Sequence, residues 1–163
     1  MQGIKFINSP LGPILIGEKA GAIFTIHFLD EDGPIEDENP TELTVLAALQ
    51  LEEYFNGQRT RFGFPISQPG TPFQQRVWAE LLNIGCGQTI SYLELARKLG
   101  DEKVIRAAAS ANGKNNLVIV VPCHRVIGSQ GRLVGYAGGL WRKEWLLRHE
   151  AHISHRPTQG SLF

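Results

Sequence analysis

The sequence predicts two domains: an α/β domain, a small sheet with one helix, over residues 1–70, and a mainly α-helical domain over residues 71–163. Three observations support this division. The chain of 163 residues is long enough for two small cores. Short segments rich in Ile and Phe come first, and apolar residues at helical spacing follow. The stretch 67–72, Ser-Gln-Pro-Gly-Thr-Pro, has the composition of a linker.

The charge of the chain changes sign at this linker. Residues 1–71 hold four basic and ten acidic residues, a net charge of −6, whereas residues 72–163 hold twelve basic and six acidic residues, a net charge of +6. A basic domain attracts polyanions, which makes nucleic acid a candidate partner. A solvated charge imbalance would give the same totals.

Composition also bears on the compartment. No apolar run approaches the roughly 20 residues of a membrane helix, so no membrane partner is expected. The N-terminus lacks the basic start and apolar stretch of a signal peptide. With only Cys86 and Cys123, a disulfide framework is not expected, and a reducing compartment is the simpler interpretation. We expect a cytoplasmic protein of a bacterium or archaeon.

Strands and one helix are predicted in the first domain. The strands cover residues 4–7, 14–17 and 22–28, and a further short strand over residues 62–66 would be kept at a sheet edge by Pro65. The helix is predicted to start with Asn39 as N-cap, Pro40 at its first position and Glu42 closing a capping box. Gly57 would end it. Its apolar face comprises Leu43, Leu46, Ala47, Leu51, Tyr54 and Phe55.

The second domain carries three helix starts. Thr71 is predicted to cap the first helix, with Pro72 and Gln74 in matching positions, and Ser91 caps the second with Glu94. Gly100 stops that helix, and Asp101 caps a third that runs to Asn112. Two short helices joined by a tight turn predict a helix-turn-helix, whose second helix would enter a DNA groove.

The third helix has an unusual surface. Residues 107–111 are Ala-Ala-Ala-Ser-Ala, and Arg106 is the long cationic side chain beside them. Small residues permit close approach to another surface. Close packing in a core and close approach to a nucleic-acid backbone both stay open at this point.

The candidate chemistry follows an apolar run. Residues 117–121, Leu-Val-Ile-Val-Val, predict a buried strand that ends at Pro122, and Cys123, His124 and Arg125 come next. A thiol beside a titratable base and a fixed cation is typical of a nucleophile whose pKa is lowered by its neighbours. The alternative is an inert buried cysteine, which is common after an apolar strand. Adjacent side chains in an extended chain point in opposite directions, so His124 need not contact Cys123.

Several segments resemble the O6-alkylguanine-DNA alkyltransferase family. Residues 121–127, Val-Pro-Cys-His-Arg-Val-Ile, are similar to its active-site signature. The resemblance spans roughly residues 71–150, in order and at suitable spacing. The other matching segments are residues 73–78, 90–96, 106–108, 111–115, 135–140 and 143–150. It implies a ribonuclease-H-like first domain and a winged helix-turn-helix second domain.

The resemblance implies a role for each matching residue. Cys123 would accept the alkyl group, His124 would draw off the thiol proton through a water, and Glu150 would orient His124. Tyr92 would donate a proton to the departing guanine, and Asn115 would tie the helix-turn-helix to the active-site strand. Implied DNA contacts are Arg106, Tyr92, Ala107, Gln74 and Ser129, with Arg106 filling the gap left by a flipped base. The implied substrate pocket comprises Val126, Tyr136, Ala137 and Gly138.

The implied partner is double-stranded DNA that contains O6-alkylguanine, with O4-alkylthymine as a further substrate. No cofactor or metal is expected, because the sequence has neither a Gly-rich phosphate loop nor a metal-spaced Cys/His set. We expect no reaction that regenerates the Cys123 thiol from a thioether, so each molecule should turn over once. We expect a monomer, with cooperative assembly on DNA as an alternative.

Three departures from the family pattern bear on substrate range and rate. Asn116 stands where proline is usual, Gly85-Cys86-Gly87 replaces Pro-Tyr-Gly, and Ala137 replaces a common serine. Competing interpretations are a lesion sensor without repair activity, a winged-helix regulator and a cysteine hydrolase. The sensor would lack the acceptor cysteine, the regulator leaves residues 122–125 unexplained, and the hydrolase leaves Arg106 unexplained.

Overall fold

The computed structural model describes residues 2–30, 37–136 and 138–154. Ala137 and the apolar end of the chain, Ser161-Leu162-Phe163, therefore lie outside the described residues. The same holds for residues 31–36.

Three antiparallel strands open the chain, as predicted. They are β1 (Gly3–Ile7), β2 (Ile14–Lys19) and β3 (Ala22–Phe28), in that order across the sheet. The turn between β1 and β2 is closed by Ser9, whose Oγ accepts from the Leu11 amide at 3.0 Å and donates to the Gly12 carbonyl at 2.7 Å. Gly12 has φ +99°, a conformation that glycine adopts without strain.

The predicted cap of the first helix is wrong by two residues. Helix α1 spans Glu42–Phe55 and is capped by Thr41, which forms a capping box with Thr44. Asn39 cannot serve as the cap because its backbone amide and carbonyl both pair with Ile4 of β1, each at 2.9 Å. The helix ends before Gly57, as expected.

The buried face of α1 is formed by Ala47, Leu51 and Tyr54 against the sheet, whereas Leu46 is 38% exposed and does not belong to it. The predicted strand at residues 62–66 is reduced to one parallel bridge between Ile66 and Ile23. Pro65 contributes its carbonyl, which accepts from the Ile23 amide at 2.9 Å, but it has no amide with which to extend a ladder.

The remaining elements are mainly helical. They are α2 (Pro72–Leu81), β4 (Ile90–Ser91), α3 (Tyr92–Lys98), α4 (Ile105–Gly113), β5 (Val126–Ile127) and α5 (Leu140–Ser154). Strands β4 and β5 pair in parallel over two residues each. Both predicted capping boxes, Thr71 with Gln74 and Ser91 with Glu94, are confirmed.

The helix-turn-helix is formed by α3 and α4. Gly100 has φ +101° at the turn, and Asp101 caps a single 3-10 turn, Glu102–Val104, before α4 begins. On α4 the small residues divide between two faces. Ala108 and Ala111 are buried in the core, whereas Ala107 and Ser110 are exposed. Core packing therefore explains one face of α4, and the other is free to approach a partner.

One cluster of buried apolar side chains includes residues from both halves of the chain, such as Ile26 and Leu51 from the first and Leu95 and Leu146 from the second. Polar contacts also join the two halves, and some of them involve residues of the candidate site.

Candidate active site

The segment before Cys123 is a buried turn, not the predicted strand. Leu117 makes one bridge to Ile26 of β3, and the chain then folds back on itself. Ile119 has φ +72°, and the Val121 amide donates to the Leu117 carbonyl at 2.9 Å. All five residues from 117 to 121 are buried, as predicted. Burial alone does not distinguish a strand from a packed turn whose backbone groups bond locally.

Asn115 holds this turn together. Its side-chain amide donates to the Val121 carbonyl at 2.7 Å, and its Oδ1 accepts from the Leu117 amide at 3.0 Å. Gln68, from the linker between the halves, donates to the same Oδ1 at 2.9 Å. Asn115 thus joins the end of α4 to the residues that precede Cys123, consistent with its expected linking role.

The asparagine at position 116 has a structural use. Its backbone amide donates to Gln68 Oε1 at 2.8 Å, a bond that the proline usual in the resembling family could not make. The departure from the family pattern therefore adds a link between the linker and the active-site turn.

Cys123 opens a 3-10 turn, Cys123–Arg125, and lines a cleft of about 670 Å³. Only 6% of the residue is exposed. Because residues 123–125 form a turn, their side chains do not alternate between opposite faces as they would in an extended strand. The other residues that line the cleft include Tyr92, Arg106, Asn112, Asn115, Val134 and Tyr136.

The expected lowering of the thiol pKa is contradicted. Burial raises the pKa of Cys123, and it outweighs the opposing effects of the Asn115 amide and the Lys143 ammonium. Arg125, which the sequence suggested as the activating cation, is bound to Glu150 instead. The resting thiol is therefore neutral, and a separate base must take its proton.

His124 has the charge state that such a base needs. It is fully buried, and its Nε2 lies 2.8 Å from Glu150 Oε2. Burial lowers the pKa of His124, and the carboxylate of Glu150 opposes this only in part, so the imidazole is neutral at rest. Because an ionised Glu150 only accepts, Nε2 carries the proton and Nδ1 keeps its lone pair. Among the described residues Nδ1 has no hydrogen-bond partner.

Glu150 is the centre of a buried network. Arg125 donates from Nε to Oε1 at 2.7 Å and from Nη2 to Oε2 at 3.0 Å, a two-point pairing. The Tyr54 hydroxyl, on α1, donates to Oε2 at 2.6 Å. Burial by itself would raise the pKa of Glu150, but the charges and hydrogen bonds of His124 and Arg125 prevail and hold it far below its usual range.

The buried neutral His124 predicts how stability depends on pH. Its pKa is lower in the folded than in the unfolded protein, so the unfolded state binds more protons between about pH 6.5 and the lowered value. Stability should fall as pH decreases through this window, by at most about 1.4 kcal/mol per pH unit for this group. Protonation of Glu150 lowers the stability only at more acidic pH, below about 4.3, the usual pKa of a glutamate.

Urea unfolding of the wild type and of His124→Gln from pH 7.5 to 5.5 measures this effect. His27, whose pKa is also lowered by burial, contributes equally to both proteins. The difference between the two slopes therefore isolates His124, and parallel slopes would contradict a neutral buried histidine.

Two tyrosines line the cleft with Cys123. Burial raises the pKa of Tyr92 and, more strongly, that of Tyr136, so both hydroxyls are protonated donors. The Tyr136 hydroxyl is buried and has no partner among the described residues. Tyr92, predicted as a proton donor, thus lies in the same cleft as the predicted acceptor.

The predicted DNA contacts occupy different places. Arg106 is exposed and lines the cleft, and Ala107 is exposed beside it on α4. Ser129 is exposed on a 3-10 turn after β5, and Gln74 is half-buried, with its side chain engaged in the cap of α2. Neither Gln74 nor Ser129 lines the cleft.

Only some of the predicted pocket residues lie at the cleft. Val126 is fully buried in β5 and does not line the cleft. Tyr136 does line it, and Gly138 lies against two rings: a Cβ there would be 2.8 Å from the Phe28 ring and 2.9 Å from that of Tyr136.

Two residues of the site were missed in the sequence. Lys143 is fully buried, and its ammonium donates to the Val126 carbonyl at 2.7 Å and to that of Val134 at 2.9 Å. Its spacing from Leu146 and Glu150 on α5 places it on the buried face, which could have drawn attention to it. No local pattern could show that the Tyr54 hydroxyl meets a carboxylate 96 residues away.

Among the described residues there is neither a group of metal-binding side chains nor a membrane-spanning helix. Nowhere in the described ranges do three His, Cys, Asp or Glu side chains group closely enough to hold a metal ion. None of the helices that the structure describes is long and apolar enough to cross a membrane.

Comparison with known proteins places this site in a family. Residues 4–68 match the family model of the 6-O-methylguanine DNA methyltransferase ribonuclease-like domain, and residues 72–152 match that of its DNA-binding domain. The methylated-DNA–protein-cysteine methyltransferase of Shigella flexneri is 41% identical over 90% of this chain and 94% of its own length. The constitutive enzyme of that name from Bacillus subtilis is 39% identical over 91% of this chain and 94% of its own.

Solved structures agree with these matches. A Mycobacterium tuberculosis O6-methylguanine methyltransferase, 38% identical, superposes with a TM-score of 0.86 over 100% of this chain and 99% of its own. A Mycobacterium tuberculosis protein of the same type, solved in complex with DNA, gives 0.84 at 39% identity over 92% of this chain and 93% of its own. The α/β first domain and the helical second domain are thus confirmed. With both family models matched and relatives about 40% identical along most of the chain, the protein belongs to the 6-O-methylguanine DNA methyltransferase family.

Proposed function

We propose that the protein repairs alkylated DNA by moving an alkyl group, above all methyl, from O6 of guanine to Sγ of Cys123. The observation that carries this proposal is a buried, neutral thiol on the wall of a cleft, followed in the chain by a neutral histidine that an anionic carboxylate orients. The names of the relatives support it, since they are methylated-DNA–protein-cysteine methyltransferases.

The transfer begins with the thiol proton. His124 Nδ1 takes this proton, through a bridging water where the two atoms are too far apart for direct contact. The imidazolium that forms is stabilised by Glu150 at 2.8 Å. The thiolate then displaces the guanine from the alkyl carbon, so that a C–S bond forms as the C–O bond breaks.

The departing guanine takes up the electron pair of the broken bond. Tyr92, whose raised pKa keeps its hydroxyl protonated, donates a proton to the base and later regains one from the imidazolium or solvent. Asn115 has a positioning role, because its bonds to Leu117 and Val121 fix the turn that presents Cys123. The product is unmodified guanine and a thioether that the protein cannot cleave, so each molecule acts once.

The target atom lies inside the duplex, so the nucleotide must be flipped into the cleft at a cost of a few kcal/mol. Arg106 lies at the cleft on an exposed helix face with little side-chain bulk, where it can fill the gap in the base stack. Ala107 permits close approach of α4, and Gln74 and Ser129 contact the DNA backbone. Tyr136 and Gly138 read the flipped base. A relative solved with DNA supports this class of partner.

Further parts of the proposal concern range and setting. O4-alkylthymine, which presents an alkylated oxygen of the same kind, is a second substrate. The protein acts as a monomer, with cooperative assembly on DNA as the alternative. The proposed location is the cytoplasm of a bacterium or archaeon, where a thiol stays reduced and the chromosome is accessible.

Intact mass after incubation with a duplex containing one O6-methylguanine tests the reaction. The wild type should gain one CH₂ unit, a methyl replacing the thiol hydrogen, located on Cys123. Cys123→Ser should gain nothing. Cys86→Ser is the matched control and should react like the wild type, because Cys86 does not line the cleft. Tight binding of the duplex without a change in mass would favour a lesion sensor instead.

A further inference from the structure

A contact between the two halves of the chain lies beside the cleft and has no part in the chemistry above. Arg142, near the start of α5, donates from Nε to the Leu11 carbonyl at 2.9 Å, in the turn between β1 and β2. The same guanidinium donates from Nη1 to the Gly138 carbonyl at 3.0 Å. One side chain thus binds the first domain and the segment that follows Tyr136.

The guanidinium also contacts two aromatic rings. Its central carbon lies 4.6 Å from the centre of the Phe28 ring, on β3, and 4.8 Å from that of Trp141. A planar guanidinium can stack its face on a ring while separate nitrogens in its plane, here Nε and Nη1, donate to carbonyls in different parts of the chain. The arrangement therefore suits an arginine better than a lysine, whose donors all lie on one nitrogen.

The residues held in this way are called the substrate loop and comprise residues 134–136 and Gly138. Lys143 fixes the start of this loop through the Val134 carbonyl at 2.9 Å, and Arg142 fixes its end at Gly138. Phe28 packs against the same end, since a Cβ on Gly138 would come within 2.8 Å of its ring. The loop is thus fixed at both ends, and its far end rests on the first domain.

We propose that Arg142 is a positioning residue through which the first domain sets the conformation of the substrate loop and so the affinity for the flipped base. The inference rests on the proposed function, in which Tyr136 and Gly138 read that base. Arg142 has no hydrogen bond to Cys123, His124 or Glu150, so it acts on binding and leaves the transfer step unchanged. The first domain thereby acquires a role in substrate selection.

The test uses the full chain and free O6-benzylguanine, which avoids any contribution from DNA binding. The rate of benzyl transfer to Cys123 is followed by intact mass over a range of base concentrations, giving an apparent dissociation constant and a maximal rate constant. Arg142→Met keeps a long side chain but loses every donor. Its apparent dissociation constant should rise about tenfold, the effect of losing one charge-assisted hydrogen bond, while the maximal rate constant stays within about twofold.

Matched variants separate positioning from a general loss of structure. Arg148→Met removes an arginine from the same helix that is 80% exposed and pairs with Glu144, and it should change neither constant. Arg142→Lys can bind one of the two carbonyls and should give an intermediate dissociation constant. Phe28→Leu, which removes a ring that stacks on the guanidinium and packs against Gly138, should shift the dissociation constant in the same direction and covers the case in which Arg142→Met does not fold.

Three outcomes would overturn the inference. An unchanged dissociation constant in Arg142→Met and Phe28→Leu would show that the loop does not depend on this contact. A lower maximal rate with unchanged affinity would show an effect on the transfer step. A wild type that acquires neither a benzyl group from the free base nor a methyl group from duplex DNA would instead contradict the proposed function, and the inference would fall with it.

Discussion

Replacing Glu150 with glutamine should destabilise the protein by about 3–5 kcal/mol, the cost of removing one partner from a buried ion pair. Arg125 would keep its charge in a buried position and face an amide group in place of a carboxylate oxygen. Tyr54 and His124 would lose the anion to which both are bonded. Alkyl transfer should also slow by about 100-fold or more, because the imidazolium formed during the reaction would lose its counter-charge.

Urea unfolding at pH 7.5 and the rate of methyl transfer measure the two effects. Glu144→Gln is the control: it lies on the same helix, but it is 48% exposed and pairs with the exposed Arg148. Its loss should change stability by no more than about 0.5 kcal/mol. A Glu150→Gln protein as stable as the Glu144→Gln protein would show that the buried network does not stabilise the fold.

Arg106→Ala should slow repair of O6-methylguanine in duplex DNA by about 10- to 100-fold, because the emptied position in the base stack would lose the side chain that fills it, and flipping costs a few kcal/mol. Reaction with free O6-benzylguanine should change less than about threefold, since no base has to leave a stack. Single-turnover rates on both substrates, at one fixed salt concentration, provide the comparison.

Lys114→Ala serves as the control for this change, because it removes an exposed cation at the other end of α4. It should weaken duplex binding modestly and in a salt-dependent way, as expected for the loss of one positive charge near a phosphate backbone. Equal losses by Arg106→Ala on duplex and free base would remove Arg106 from the flipping step.

Local sequence rules predicted those elements whose ends depend on neighbouring residues alone. The capping boxes of Thr71 and Ser91 are closed by residues three positions along the chain, and both were found where the pattern placed them. The cap of α1 was misplaced because Asn39 pairs with β1, a contact between distant parts of the chain. The segment after Asn116 was correctly predicted as buried, but its turn depends on the Asn115 side chain, for which the apolar pattern gives no signal.

The site shows the same division. The sequence motifs identified Cys123, His124 and Glu150 as candidate site residues, and in the structure His124 and Glu150 are in direct contact. The pKa of Cys123 could not be predicted, because it depends on burial from every side and on Arg125 being bound elsewhere. Roles in DNA contact for Gln74 and Ser129 stay predictions.

The Tyr54 hydroxyl has a consequence for how such proteins can diverge. From helix α1, 96 positions upstream, this hydroxyl donates directly to the Glu150 carboxylate, which is hydrogen-bonded to His124. One half of the chain therefore cannot be exchanged without regard to the other. A chimaera that takes its first half from one ancestor and its second half from another keeps this bond only when the first ancestor has a tyrosine at position 54 and the second a glutamate at position 150.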